Sequence, residues 1–511
     1  MRNLIVGILF ATGLFSLQLV SAKSAPDVKT ISKTVLLDKI KGGWAGKAIG
    51  CTYGGPVEFR FNGSIIPNDY PIEWNKDRLK WYYDNSPGLY DDMYVNIVLD
   101  EVIERLGFDA PADSFAVSFA RAGFPLWHAN ASARYNVQHG IMPPLSGHWL
   151  NNPHADDIDF QIEADFIGLI TPGMANTGSE LADRVGHIFN YGDGWYGGVF
   201  VAAMYSNAFF YNNAETVVRN ALRTIPEKSD FYQCINDILT WHKMFPTDWK
   251  RTWFECEKKW ASEVGCSSGV LSQFDIDAKI NSAYVVIGLL YGDKNFYKTI
   301  DIAARCGQDS DCNASTSGGV LGAMIGYSNI PERWKEGANV VEDRPFSFTD
   351  VSLNKLYEMS LSQACSVVEK NGGKITDDMI TVNYETPVAV RYEKGFDNHY
   401  PMIRYNINKA LTDSLYECSF EGIGFVVRGN FKCVDKNYIA KIKMFVDGKD
   451  EGNVDMMYIN GGRDEVCFKY NMPNGKHTLG LKWLNPNPDA QVTINNMLLY
   501  SNQRNKLDYN E

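Results

Sequence analysis

Apolar positions across residues 35–370 recur with the period of a helix and are broken by clusters of Gly, Pro and Asn, a pattern that predicts a large all-α domain. Val95, Val98, Val102 and Leu106 form one such stripe after Tyr90-Asp91-Asp92, and Gly107 ends it. Ala278 to Leu290 reads as a buried helix begun by Asp277. Two further stretches are marked by missing side chains. Gly42, Gly46, Gly50 and Gly54 recur every fourth residue, as do Gly318, Gly322 and Gly326. A bare stripe lets another backbone approach, so these two segments are expected to pack tightly against each other deep in the protein. Lys47 inside the first stripe argues against a membrane span, and residues 194–206 repeat the small-residue pattern.

After about Gly372 the period changes to two. Ile442, Met444 and Val446 alternate with Lys441, Lys443 and Phe445, and Asp447-Gly448, Asn460-Gly461 and Asn474-Gly475 supply turn signals. The chain is therefore expected to be multidomain: a helical domain over residues 23–372, then a separate all-β sandwich over residues 385–511. That sandwich is similar in pattern to the galactose-binding-like modules of secreted glycan enzymes, and it is expected to bind carbohydrate or to serve as a structural appendage.

At 511 residues the chain has ample length for such cores. Residues 1–22 hold one charge, Arg2, then an apolar run from Leu4 to Val20 and a small-residue Val-Ser-Ala end, which predicts a cleaved signal peptide and a secreted or periplasmic protein with no remaining transmembrane segment. No Cys follows the run closely. The net charge of −12 disfavours nucleic-acid partners. Ten cysteines without a CxxC exclude zinc-ribbon and thioredoxin readings, and export would permit pairing among Cys234, Cys256, Cys266, Cys418, Cys433 and Cys467.

Candidate chemistry collects in three places. Residues 43–59 run from the first glycine stripe to Gly55-Pro56-Val57-Glu58; Leu89-Tyr90-Asp91-Asp92 opens a helix; Gly307-Gln-Asp309-Ser-Asp311-Cys312-Asn313 precedes the second stripe. Asp309 and Asp311 at i, i+2 suit a loop or first helical turn where both bend toward one cation, or a helix cap with a spare acid. An EF-hand is excluded, since its sixth position would be Ala314 and its twelfth Val320. In this order the clusters resemble the ADP-ribosylglycohydrolase superfamily, marked by a GxxxGxAxGxxxGxPxE-like opening helix, a Thr-Asp-Asp-Thr turn and a late Gly-Asp-Thr-Asp-Thr turn.

The resemblance spans roughly residues 35–340 and implies a hydrolase acting on glycosyl bonds. It implies a divalent cation site, magnesium first with manganese or calcium as alternatives, holding one or two ions on Asp91, Asp92, Asp309, Asp311 and Cys312. It also makes Glu58, Asp92 and Asp309 catalytic candidates, with Glu58 near the scissile bond. Tyr90 and Cys312 stand where the family has threonines, so one metal position is expected to be lost, reshaped or filled by a thiolate. Residues 127–148 read as a substrate-facing loop in which His128, Asn130, Arg134, His139 and His148 contact sugar hydroxyls or a negative group, and Trp195 and Tyr196 suit stacking on a sugar or plain packing. Glu163 or Asp165 is a second general-acid candidate. Export and the sandwich favour a carbohydrate or glycoside substrate with a furanosyl or ribosyl-like bond. ADP-ribosylated protein is the alternative, and a non-catalytic sugar-binding or structural relative is another.

Overall fold

A computed structural model describes residues 27–261, 265–269 and 274–504. The expected signal segment lies outside the described residues. Helices fill the chain from Lys33–Gly54 to Leu353–Lys370, and antiparallel sheets follow. Among the described residues no helix is long and apolar enough to cross a membrane.

The two glycine stripes form the axis of the helical body. Lys33–Gly54 and Ser310–Ile325 lie antiparallel in a fixed register. A Cβ built on Gly42 would stand 2.2 Å from Gly322 O, on Gly46 2.3 Å from Gly318 O, and on Gly50 2.1 Å from Ala314 O. No side chain fits between these backbones, so the close approach follows directly from the missing Cβ atoms. Ser32 caps the first helix by accepting a hydrogen bond from Val35 N at 3.2 Å, and Ser315 ties the pair by donating to Lys47 O at 3.2 Å.

The Asp91–Leu106 helix ends at Gly107 as expected, but its buried face is broader than one stripe, taking in Met93, Tyr94, Ile97 and Ile103 while Leu106 is exposed. Met379–Tyr384 pairs with both Asp27–Ser32 and Lys374–Ile375. Residues between the two expected domains thus join the helical body through its N-terminal strand.

The sandwich comprises two four-stranded antiparallel sheets. One runs Tyr416–Gly422, Gly475–Trp483, Ala440–Val446, Lys449–Met456; the other runs Tyr400–Ala410, Ala490–Ser501, Gly424–Cys433, Glu465–Lys469. Ile442, Met444 and Val446 face its core as the alternation predicts. Asp447-Gly448 makes a hairpin turn with both residues at positive φ. Asn460-Gly461 does not, because Gly461 forms a parallel bridge to Leu126 of the helical body.

Nor is the sandwich separate. Phe425, Val427, Met497 and Leu499 point into it, whereas Val426, Leu498 and Tyr500 join Trp149, Ala155 and Phe396 in a second core against the helices. The central strands of that sheet are buried on both faces over residues 425–427 and 497–500, and those stretches read accordingly as continuous apolar runs. His154 adds a buried ion pair to Glu465 across the same junction. The ten cysteines are free thiols.

Candidate active site

At one end of the glycine register the two helices deliver their acids to a common cleft of about 610 Å³, lined among others by Glu58, Asp91, Asp309, Asp311 and Cys312. Gly54 meets Ser310 and Asp311 directly: a Cβ there would lie 2.3 Å from Ser310 O and 2.4 Å from Asp311 Cα. The turn before Asp309 is laced to the segment after Glu58. Phe59 N donates to Gln308 O at 3.0 Å, Gln308 N donates to Phe61 O at 3.2 Å, and Gly307, Gln308 and Phe59 all hold positive φ. Glycine adopts this conformation freely, but Phe59 and Gln308 store backbone strain of the kind found at functional sites.

Asp309 occupies the N-cap position of its helix, yet its side chain caps no backbone N–H. The cap reading therefore fails. Oδ1 of Asp309 and Oδ1 of Asp311 are buried without a hydrogen-bond partner, and ligand atoms of Asp309, Asp311 and Cys312 lie within 4.8 Å of one another. Burial first, then Glu58 and Asp92, raises the Asp309 carboxyl well above its usual range; burial and then Asp309 do the same to Asp311. Asp91 is raised by burial, then by Asp92 and Asp311. Glu58 is pushed up to about 9 by burial, then by Asp311 and Asp92.

Among the described residues no ion pair reaches Asp91, Asp309, Asp311 or Glu58. Crowded oxygens without a basic partner are what a hard divalent cation neutralises, so the residues present fit one held by Asp309 and Asp311, with Asp91 facing the same cleft. Asp92 is engaged differently. Its Oδ2 faces Lys47 Nζ at 3.4 Å, and its Oδ1 accepts from Cys312 Sγ at 3.2 Å. Lys47 also pairs with Asp165 at 2.9 Å and donates to Ile162 O at 3.0 Å, so the single charge in the glycine stripe is a buried counter-ion beneath the site. Tyr90 turns away from the cleft, with its hydroxyl 2.7 Å from Thr52 Oγ1 and its ring against Tyr83 and Phe346.

Other expected residues divide sharply. His128 and Asn130 line the cleft, but residues 128–138 are a helix rather than a loop. Asn130 N donates to Asp159 at 2.7 Å and its amide donates to Glu163 at 2.5 Å. Burial holds the His128 imidazole far down, at about 3. Arg134 is not a substrate ligand here: its buried guanidinium donates to Phe124 O at 2.8 Å and Ala122 O at 3.0 Å. His139 is stacked on Tyr135 and faces Asp455 of the sandwich at 3.5 Å. Trp195 and Tyr196 are buried in helix packing, Trp195 donating to Ala182 O and Tyr196 to Arg391 O, so neither ring is open to a sugar. Asp165 is committed to Lys47, and Glu163 to Asn130.

Three aromatic residues missed as candidates line the cleft instead. Phe59, Trp81 and Trp127 do so and are 39%, 49% and 39% exposed. Trp81 lies on the polar helix Arg78–Asn85, where an outward tryptophan was the available signal. Asp159 also lines the cleft.

The glycine-registered helical body thus brings acids from three segments to one cleft. The chain belongs to the ADP-ribosylglycohydrolase family, whose profile matches residues 32–361. Over 60 residues it is 40% identical to the ADP-ribosylarginine hydrolase Tri1 of Serratia proteamaculans (strain 568), a match covering 11% of this chain and 16% of that protein. The chain thus aligns with about a sixth of that relative's length. A solved chain titled ADP-ribosylglycohydrolase-related protein complex is 14% identical, with a TM-score of 0.44 over 65% of this chain and 98% of that one.

Proposed function

We propose that the protein is an exported, divalent-metal-dependent glycoside hydrolase that cleaves a furanosyl or ribosyl-like N- or O-glycosidic bond in a glycan. The observation that carries this reading is the pair of buried, unpartnered oxygens, Oδ1 of Asp309 and Oδ1 of Asp311, beside Glu58 in one aromatic-rimmed cleft. Family members generally use divalent ions, and magnesium suits the oxygen donors best. Bound there, the ion would supply Lewis acidity and lower the pKa of a water.

The chain's own residues do the rest. Glu58 lines the same cleft and is the carboxyl assigned to give a proton to the leaving group. Asp92 orients Cys312 from below and is itself fixed by Lys47. Phe59, Trp81 and Trp127 offer apolar faces to a sugar and exclude water from its flank. Export is supported by the apolar run Leu4 to Val20 and its small-residue end.

Asp309→Asn should lower kcat/KM by about a thousandfold and reduce bound metal measured by mass spectrometry. Unchanged turnover, or turnover indifferent to a chelator, would remove the metal from the reaction. A second reading, hydrolysis of ADP-ribosyl groups on protein, is favoured by the 60-residue match to an ADP-ribosylarginine hydrolase. A panel of furanosides and pyranosides run beside an ADP-ribosylated arginine peptide separates the two.

A further inference from the structure

Beside the acidic cleft lies a second cleft of about 410 Å³, and Trp127 and His128 line both. Its far wall belongs to the sandwich: Asn430 on the strand Gly424–Cys433, and Tyr458 and Arg463 on the segment before Glu465–Lys469. This wall is docked on the residue next to Trp127. Leu126 N donates to Asn460 O at 2.8 Å and Gly462 N donates to Leu126 O at 2.9 Å, while the Arg463 guanidinium sits 4.0 Å from the centroid of the Tyr135 ring. The two clefts therefore keep a fixed relation to each other.

The chemistry of the wall selects its ligand. Trp127 and Tyr458 are 39% and 44% exposed, and Asn430 is an exposed amide on the same rim. Arg428 is paired with Asp464, and Arg463 is buried against the Tyr135 ring with Glu465 at 3.8 Å. Lys436 lies over one side of the Tyr458 ring at 4.5 Å and donates to its hydroxyl at 3.4 Å; the Trp127 ring beside the Asn430 amide suits a neutral polyhydroxylated ring.

We propose that the junction cleft binds a further sugar unit of the same glycan whose scissile bond lies at the acids, so that the sandwich forms part of the substrate site. This rests on the glycoside-hydrolase reading above. It makes the substrate a chain of sugars, with Trp127 shared between neighbouring units.

Native gels cast with beet arabinan, larch arabinogalactan or yeast mannan, and run with the full chain, test the idea. Wild-type protein should be retarded by at least one polysaccharide. Tyr458→Ala and Asn430→Ala should each weaken that retardation about tenfold in apparent affinity, Asp309→Asn should keep it, and Val434→Ser on an 84% exposed position should match wild type. Thermal melts confirm that each variant is folded. Retardation by none of the three, or Tyr458→Ala behaving as wild type, overturns the inference. Loss of ADP-ribose binding in Tyr458→Ala, with polysaccharide binding untouched, overturns the sugar assignment. Retardation without hydrolysis of any glycoside refutes the glycosidase reading and leaves the sugar-binding cleft standing.

Discussion

The helical body and the sandwich solve the problem of close packing in opposite ways. Around the glycine register, backbone meets backbone and there is no side chain to yield. Inside the sandwich, Ile442, Met444 and Leu481 interdigitate as ordinary apolar side chains do, and a changed rotamer absorbs a small error. The acids of the cleft hang from the first kind of contact. Their positions are set by parts that cannot adjust, whereas the wall of the neighbouring cleft is built on parts that can.

Four substitutions or conditions probe that contrast. Gly50→Val drives side-chain atoms into Ala314 O and should leave no folded, soluble protein, as judged by circular dichroism and gel filtration. His154→Ala leaves buried Glu465 with Arg463 alone, at 3.8 Å, and should cost up to about 3 kcal/mol in denaturant titrations. Two separated transitions there would show the sandwich to be more independent than its shared core suggests.

The third probe is pH. Burial opposes charge on His187, but bonds to Asp183 and Glu393 outweigh it and raise the imidazole to about 9. Its folded value lies above its unfolded one near 6.5, so the stabilisation is complete below about 6.5 and is lost as pH rises through about 9. The loss should amount to roughly 3 kcal/mol by pH 10 and should vanish in His187→Gln. Least of all, Ile442→Val in the sandwich should cost about 1 kcal/mol with turnover intact. A larger cost would mean that this core is as unyielding as the glycine register.

The glycine stripes and the acidic turns were legible in the sequence because each is a local pattern with one physical meaning. Missing Cβ atoms encode close approach, and Asp309 with Asp311 needs only its own turn. What could not be read depended on distant partners. Arg134 is taken up by the carbonyls of Phe124 and Ala122, His139 by Asp455, and Trp195 and Tyr196 by neighbouring helices and residues 391–393. An aromatic beside glycine looks the same in a sequence whether it faces a sugar or a core. Runs such as Phe425-Val-Val427 and Met497-Leu-Leu-Tyr500 did carry the signal that one sheet is buried twice. Lys47 was visible as a charge in an apolar stripe, but its role emerged only once Asp92 and Asp165 were seen around it.

The register of the two glycine helices has a mechanical consequence. Because the bare positions repeat every four residues, one helix cannot creep along the other by an ångström; the next allowed seat is one repeat away, about 6 Å. The assembly behaves as a ratchet with one occupied notch. A change at the cleft therefore cannot be relieved by sliding the acids apart, and any motion that opens it has to come from the segments that flank the notch, among them the turn at Gly307 and Gln308.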